Sequence, residues 1–543
     1  MSEQEGSSPE GSTPENIYIP VTIADEIEDI EYYCLGGFAP VTIGDKLRDG
    51  RYSIVAKLGA GGIAMVWLCY DDEQRTWCAI KINAAHNSSI NCGDLKTIRL
   101  MRMKGIDNKV LEANHILISF ETFWEYSPNG KHLCTVMPVL GPRLCDWRGQ
   151  DVGNDAARAN KLCYQVAKGM RFLHQIGLVH NDFRPQNILM RLKPSALDLL
   201  SKEAMSELLG EPREVELLTV SGNRSMHAPQ YVLASASWEY FSRVVTDDIA
   251  IVDFGEAYPP DLPPSHFGIP SNYASPEIVF AKTSTGFASD IWSLALTLME
   301  VRLNNYGGYG GYGASYAVRF MERFVGTIPP TYRSAVKRLL IDEGWRELER
   351  RRSGDRRPFL GPVEIPITYE EECECENTAF VDRLMMKLAS EQECIREAMD
   401  PNDRTGRTWR RTKVRCHVPE DEVRQLGNLL HQMLKYDPSE RMTIEEVLQH
   451  PWFQISREQD PVQRDGIVPR EAQPEHRGIQ IVPQQARSLL STLIRILSKA
   501  ALLWPIFIRL LVLMLLGNIS HGLYTWLHTS HACAVTMVYL PNG

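Results

Sequence analysis

The sequence predicts an α+β chain in two lobes, a small β-rich one followed by a larger helical one, on three observations. First, "RYSIVAKLGAGGIAMVWLCYDD" alternates apolar and polar residues on either side of a glycine cluster, and "TWCAIKINA" follows as a third short strand. Second, a helix over Gly93 to Lys104 precedes another apolar strand, "HLCTVMPVLG". Third, "ANKLCYQVAKGMRFLHQIG" repeats Leu162, Val166, Met170 and Leu173 at helical spacing. The β-rich lobe is assigned to residues 51–138 and the helical lobe to 139–453.

At 543 residues and 44% apolar content the chain has enough material for a large core. Its first residues, rich in Ser, Glu, Gly and Pro, are expected to form a solvated, disordered acidic tail over 1–30 and carry no signal sequence. Residues 31–50 lead into the β-rich lobe. About 191–249 is too long for a simple connection and is read as an insertion, partly helical and otherwise loop. Tyr306 to Tyr312, "YGGYGGY", reads as a flexible run, and the charged stretch Asp342 to Glu376 as a solvated face. The twelve cysteines are scattered, and Cys373 and Cys375 lack the spacing of a zinc hairpin, so reduced thiols are expected. A net charge of −10 disfavours nonspecific nucleic-acid binding and leaves room for a basic partner.

Chemistry enters with short motifs in a fixed order. Leu58 to Val66 reads G-x-G-x-x-A-x-V, in which Gly59 and Gly61 bring backbone N–H groups close to phosphates. By itself this is a hairpin turn. "CAIK" then puts Lys81 on a strand as a point charge for α- and β-phosphates. In "GLVHNDFRPQNILM", a carboxylate and an amide, Asp182 and Asn187, stand five residues apart. Asp253 of "IVDFG" ends an apolar strand, from which its carboxylate reaches magnesium on the phosphates. "SPE" at Ser275 to Glu277, the buried helix "SDIWSLALTLMEV" and "KYDPSERMTIEEVLQHPWF" complete the series.

Seven motifs in this order resemble the eukaryotic protein kinases over about Arg51 to Phe453. "EYYCLGGFAPVTIGDKLRDGRY", the "HLCTVMPVLGPRL" hinge and the insertion containing "SKEAMSELLGEP" resemble the SR-protein kinases, their fungal members in particular. The resemblance implies a bilobal protein-kinase fold and transfer of the γ-phosphate of MgATP, with ATP and Mg2+ as cofactors. Serine, or threonine, of basic Arg/Ser-rich proteins of the splicing type would be the acceptor. The negative charge predicts no direct nucleic-acid contact, and the reduced thiols predict a cytoplasmic or nuclear location. It implies nucleotide contacts from Leu58, Gly59, Ala60, Gly61, Gly62, Val66, Ala79, Lys81, Met137, Val139 and Leu140. Asp182, Arg184 and Lys81 take catalytic roles, and Asn187 and Asp253 hold the metal. Glu277 is expected to pair with Arg441.

Three departures from the kinase pattern bear on activity. Asn181 replaces the Arg that in many kinases meets a phosphorylated activation loop, a slot where the SR-protein kinases also lack Arg; this points to activity without such phosphorylation. Arg184 replaces a Lys, keeping the charge but not the geometry. The helix after Lys81 contains no Glu, so Asp94, one methylene shorter, is the candidate to orient that lysine or else an N-cap. The alternative to an enzyme is a pseudokinase scaffold that binds nucleotide or a partner without transfer.

Beyond Phe453 a polar linker over 454–484 precedes a hydrophobic tail over 485–543. "ARSLLSTLIRILSKA" places Leu489, Leu490, Leu493, Ile494, Ile496 and Leu497 on one helical stripe. Residues of about 500–517 are almost wholly apolar, and their transfer energies offset the roughly 3 kcal/mol of a central Arg509. A membrane segment there and a helix packed on protein are both open.

Overall fold

The computed structural model describes residues 17–23, 27–144, 156–237, 239–284, 286–303, 314–352, 392–399, 409–416 and 419–454. The linker, the apolar run of about 500–517, Tyr306–Tyr312, residues 353–376 and hence Cys373 and Cys375 lie outside them. Among the described residues, no helix is long and apolar enough to cross a membrane.

Alternation in the first lobe gives β1 (Lys46–Leu47), β2 (Tyr52–Ala60), β3 (Ala64–Asp71), β4 (Thr76–Asn83), β5 (Thr122–Ser127) and β6 (Gly130–Met137). They form one six-stranded sheet in the order β1-β2-β3-β4-β6-β5, antiparallel throughout. Met65, Trp67, Cys78, Ile80, Ile82 and Cys134 line one face and share a core with Tyr52 and Ile54. Register shifts between Ile54 and Ala56 and between Lys57 and Gly59 disturb β2, so Ile54 and Ala56 fall in different clusters. The helix α1 (Gly93–Met103) and the short α2 (Asn108–Ala113) connect β4 to β5.

Two expectations are corrected here. The solvated tail does not extend to residue 30, because Tyr18, Ile23 and Glu28 are buried. Tyr18 is 1% exposed, its hydroxyl donates to the Tyr33 carbonyl at 2.6 Å, and the Glu31 carboxylate accepts from the Ile17 and Tyr18 N–H groups. Glu28 is buried against Lys57. Tyr18 also bridges Thr219 of the insertion. The insertion is partly helical as expected, with Lys202–Leu209 and Glu239–Arg243, but its remainder is not all loop. It contains a strand pair of Glu214–Glu216 with Tyr231–Leu233, and the start of the strand Val245–Ile251, which pairs with Ile188–Leu192. Leu217, Val232 and Leu233 join the core of the first lobe. Leu197, Met205 and Phe241 pack with Ala56, Leu68 and Trp77 on the other side of the sheet. Strands of three residues are too short to show a period, which is why they read as loop.

In the second lobe the helix Ala156–Gln175 buries Leu162, Val166, Met170 and Leu173 completely, as its spacing predicts. At about 1.5–3 kcal/mol each, those four side chains secure the helix to the lobe. They join one core with the helices Phe287–Leu303 and Glu420–Met433. Glu277 and Arg441 form the expected pair at 2.7 Å. Cys34, Cys69, Cys78, Cys92, Cys134 and Cys163 are free thiols.

Candidate phosphoryl-transfer site

Antiparallel register aligns the nucleotide candidates of the sheet in two rows. Gly59 stands opposite Val66, Val66 opposite Lys81 and Lys81 opposite Thr135. The next row runs Ala56, Leu68, Ala79 and Met137. Because alternate residues share a face, Val66, Ala79 and Lys81 point the same way. Leu58 and Ala60 end β2, and Gly61 and Gly62 make the turn. A Cβ at Gly59 or Gly62 would meet nothing within 4 Å, so internal packing does not require glycine there. That open space suits a ligand brought against the backbone. Gly61 departs from expectation in one respect: its N–H donates to the Ala64 carbonyl at 2.8 Å and closes the hairpin. Leu140 is half-buried at the hinge. Val139 is 7% exposed and already packed with Ala56, Trp77 and the insertion residues Leu197, Met205 and Phe241.

Lys81 lies between two carboxylates. Its ammonium donates to Asp253 Oδ1 at 2.8 Å and stands 3.5 Å from Asp94 Oδ2. Burial alone would push the Lys81 ammonium down, but Asp253 and then Asp94 outweigh it and hold the group above the ordinary lysine range. Lys81 in turn holds the Asp253 carboxyl below its ordinary value. Asp94 is not the N-cap: Cys92 occupies that position without a side-chain bond, and Asp94 sits in the first turn.

The second cluster is held by the ladder between Ile188–Leu192 and Val245–Ile251. Ile251 faces Ile188, and the Val252 N–H donates to the Asn187 carbonyl at 2.9 Å, which places Asp253 beside Asn187. Asn187 Nδ2 donates to the Asp182 carbonyl at 2.9 Å and to Asp182 Oδ2 at 2.8 Å. With both its N–H bonds directed at Asp182, the amide oxygen is the atom left for a metal. Arg184 Nε donates to both Asp182 oxygens, at 3.0 and 3.2 Å. Burial raises the Asp182 carboxyl, and Arg184, His180 and Asn187 offset this only in part. Asn187 and Asp253 fit a magnesium ion, which takes one or two protein oxygens and completes its shell with phosphate and water.

Sequence reasoning missed Asp290. It stands near the start of Phe287–Leu303, 1% exposed, and accepts the His180 and Asn181 backbone N–H groups at 2.8 and 3.0 Å. The loop before Asp182 is thereby tied to the helical core. An acid opening an otherwise apolar helix was the available signal. Asn181 and Asp253 both have φ of +64°. Asn and Asp tolerate that left-handed conformation better than an Arg would, which gives Asn181 a local reason for its place.

The protein kinase domain family matches residues 52–202. SRSF protein kinase 3 of Mus musculus is 32% identical over 185 residues, covering 33% of this chain and 32% of that protein. Protein kinase dsk1 of Schizosaccharomyces pombe is 32% identical over 186 residues, 33% of each chain. Serine/threonine-protein kinase SKY1 of Saccharomyces cerevisiae is 30% identical over 171 residues, 30% of this chain and 23% of that one. The aligned part thus spans about a third or less of these relatives' length. Antiparallel sheet, strand lysine and the paired Asp182 and Asn187 define the class: this chain carries the fold of a protein kinase. Within that class the matched part is similar to SRSF protein kinase 3, dsk1 and SKY1.

Proposed function

We propose that the chain is a serine/threonine protein kinase that transfers the γ-phosphate of MgATP to serine on basic proteins, Arg/Ser-rich segments among them. The reading rests on the convergence of Lys81, Asp94 and Asp253 in one ion-paired group while Asp182, Arg184 and Asn187 form a hydrogen-bonded second. Lys81 would position the α- and β-phosphates and Asp182 would orient and deprotonate the acceptor hydroxyl. Arg184 would stand beside the transferred group, and Asn187 and Asp253 would hold magnesium. When bound, the metal supplies charge neutralisation at the phosphates. Leu58, Gly59, Ala60, Gly62, Val66, Ala79, Met137 and Leu140 would cover the nucleotide. The net charge of −10 is compatible with a basic substrate, and the name of the relative SRSF protein kinase 3 supports a protein acceptor of the splicing type.

The test is an assay with MgATP on an Arg/Ser-repeat peptide beside an acidic one, with wild type and Asp182→Asn. Transfer to the basic peptide by wild type alone, with MgATP binding kept in the variant, is expected. Binding of MgATP without transfer to either peptide would make the chain a binding scaffold.

A further inference from the structure

Asp94 reaches Lys81 although it is one methylene, about 1.5 Å, shorter than the Glu of the kinase pattern. The reason lies one residue earlier. A Cβ added at Gly93 would fall 1.8 Å from the Gly255 carbonyl oxygen, 2.5 Å from its carbon and 3.0 Å from the Gly255 Cα. These are backbone atoms, so no side chain can swing aside to make room. Gly93 is not among the residues with positive φ, so its backbone conformation does not demand glycine. What demands it is the approach of the helix start to the turn after Asp253. One helical turn on, the Thr97 hydroxyl donates to the Phe254 carbonyl at 3.5 Å, so the same face of α1 continues along that segment. Asn83 Nδ2 donates to Asp94 Oδ2 at 3.1 Å and fixes the carboxylate from the other side.

We propose that Gly93 is a positioning residue for Lys81: by leaving out a side chain it lets α1 close on Gly255 far enough for the short Asp94 to pair with the strand lysine. Gly93 and Asp94 form a compensating couple, in which a closer helix replaces a longer acid. Gly93 has no side chain to offer a ligand, so its effect runs through the place it gives Asp94. This inference rests on the phosphoryl-transfer reading for its role in turnover, but its geometry also governs nucleotide binding, which can be measured separately.

The experiment uses the full chain and four variants: Gly93→Ala, Asp94→Glu, the double Gly93→Ala/Asp94→Glu, and Asp94→Asn. Each is measured for kcat and KM on a basic peptide and for MgATP affinity by thermal shift. A misplacement of about 1 Å costs on the order of 10²-fold, so Gly93→Ala should lower kcat/KM by about that factor. Asp94→Asn, which removes the charge facing Lys81, should fall at least as far. Asp94→Glu alone should also lose activity, because the longer acid does not fit the closed helix. The double variant should recover at least about tenfold over Gly93→Ala, since an outward helix and a longer acid again match. A double variant no better than Gly93→Ala overturns the proposal, as does Asp94→Glu alone equal to or better than wild type. That second comparison remains decisive even if Gly93→Ala does not fold. If wild type binds MgATP but transfers nothing, the kinase reading fails, and the rescue pattern in MgATP affinity still decides the couple.

Discussion

Two ion pairs are withdrawn from water, one in each lobe, and they are balanced differently. In the helical lobe, Glu277 and Arg441 have side chains 4% and 0% exposed. Arg441 Nη1 and Nη2 reach the two carboxylate oxygens at 2.8 and 2.7 Å, Nη1 also meets the Ala288 carbonyl at 2.8 Å, and Nε the Lys435 carbonyl at 2.9 Å. The guanidinium lies 5.2 Å from the Trp292 ring centroid. In the β-rich lobe, Lys57 and Glu28 are each 1% exposed. There Lys57 has one carboxylate and the Leu233 carbonyl at 2.9 Å, and the Tyr33 hydroxyl donates to Glu28. Burial pushes the Lys57 ammonium down, and Glu28 recovers only part of that. Burial would raise the Glu277 carboxyl too, but Arg441 outweighs it and holds the group below the ordinary range. A planar fork that satisfies four acceptors compensates desolvation where a single ammonium does not.

The largest effect should therefore come from Glu277→Ala, which leaves a guanidinium uncompensated in the core at a cost of about 3–5 kcal/mol. Urea unfolding would measure it, and a loss under about 1 kcal/mol would remove the contrast between the lobes. Next, Lys57→Met should cost about 3 kcal/mol by leaving Glu28 buried with Tyr33 alone. Adding Glu28→Gln should return the protein to within about 1 kcal/mol of wild type, because no charge then remains inside. The matching pair Arg441→Met/Glu277→Gln should not recover, since the Ala288 and Lys435 carbonyls lose their donor. Equal recovery in both lobes would show that the fork adds nothing.

A pH series sharpens the same contrast with a smaller signal. The folded pKa of Glu277 lies below its unfolded value, so its contribution is present in full above the ordinary glutamate range, about 4.3, and fades as the pH falls through the folded value. The difference in Tm between wild type and Glu277→Gln should be constant near neutrality and shrink in acid. A gap that widens in acid would reverse the assigned sign. The smallest effect concerns the same Arg-to-Lys contrast at an open site. The Arg184 side chain is 28% exposed and bonds Asp182 through Nε, so Arg184→Lys should hold or raise turnover, changing it by less than about fivefold, roughly 1 kcal/mol. Complete loss would mean that the fork at 184 has a second task.

Chemistry and periodicity write much of this molecule into short stretches, and those parts need no neighbour to be read. Leu162, Val166, Met170 and Leu173 declare a buried helical face, alternation declares the strands from Tyr52 to Asn83, and the order of the motifs marks Gly59, Lys81, Asp182, Asn187 and Asp253 as the candidates for phosphate chemistry. The Glu277–Arg441 pair was legible because both ends sit in motifs. Nothing local marks Glu28 as the partner of Lys57, Tyr18 as a core residue, Asp290 as the anchor of the loop at Asn181, or Gly93 as the neighbour of Gly255. Those depend on how far one element travels toward another. A carboxylate's reach is decided by where its helix stops, and that is set by packing between residues as distant as Gly93 and Gly255, which come together only in the folded chain.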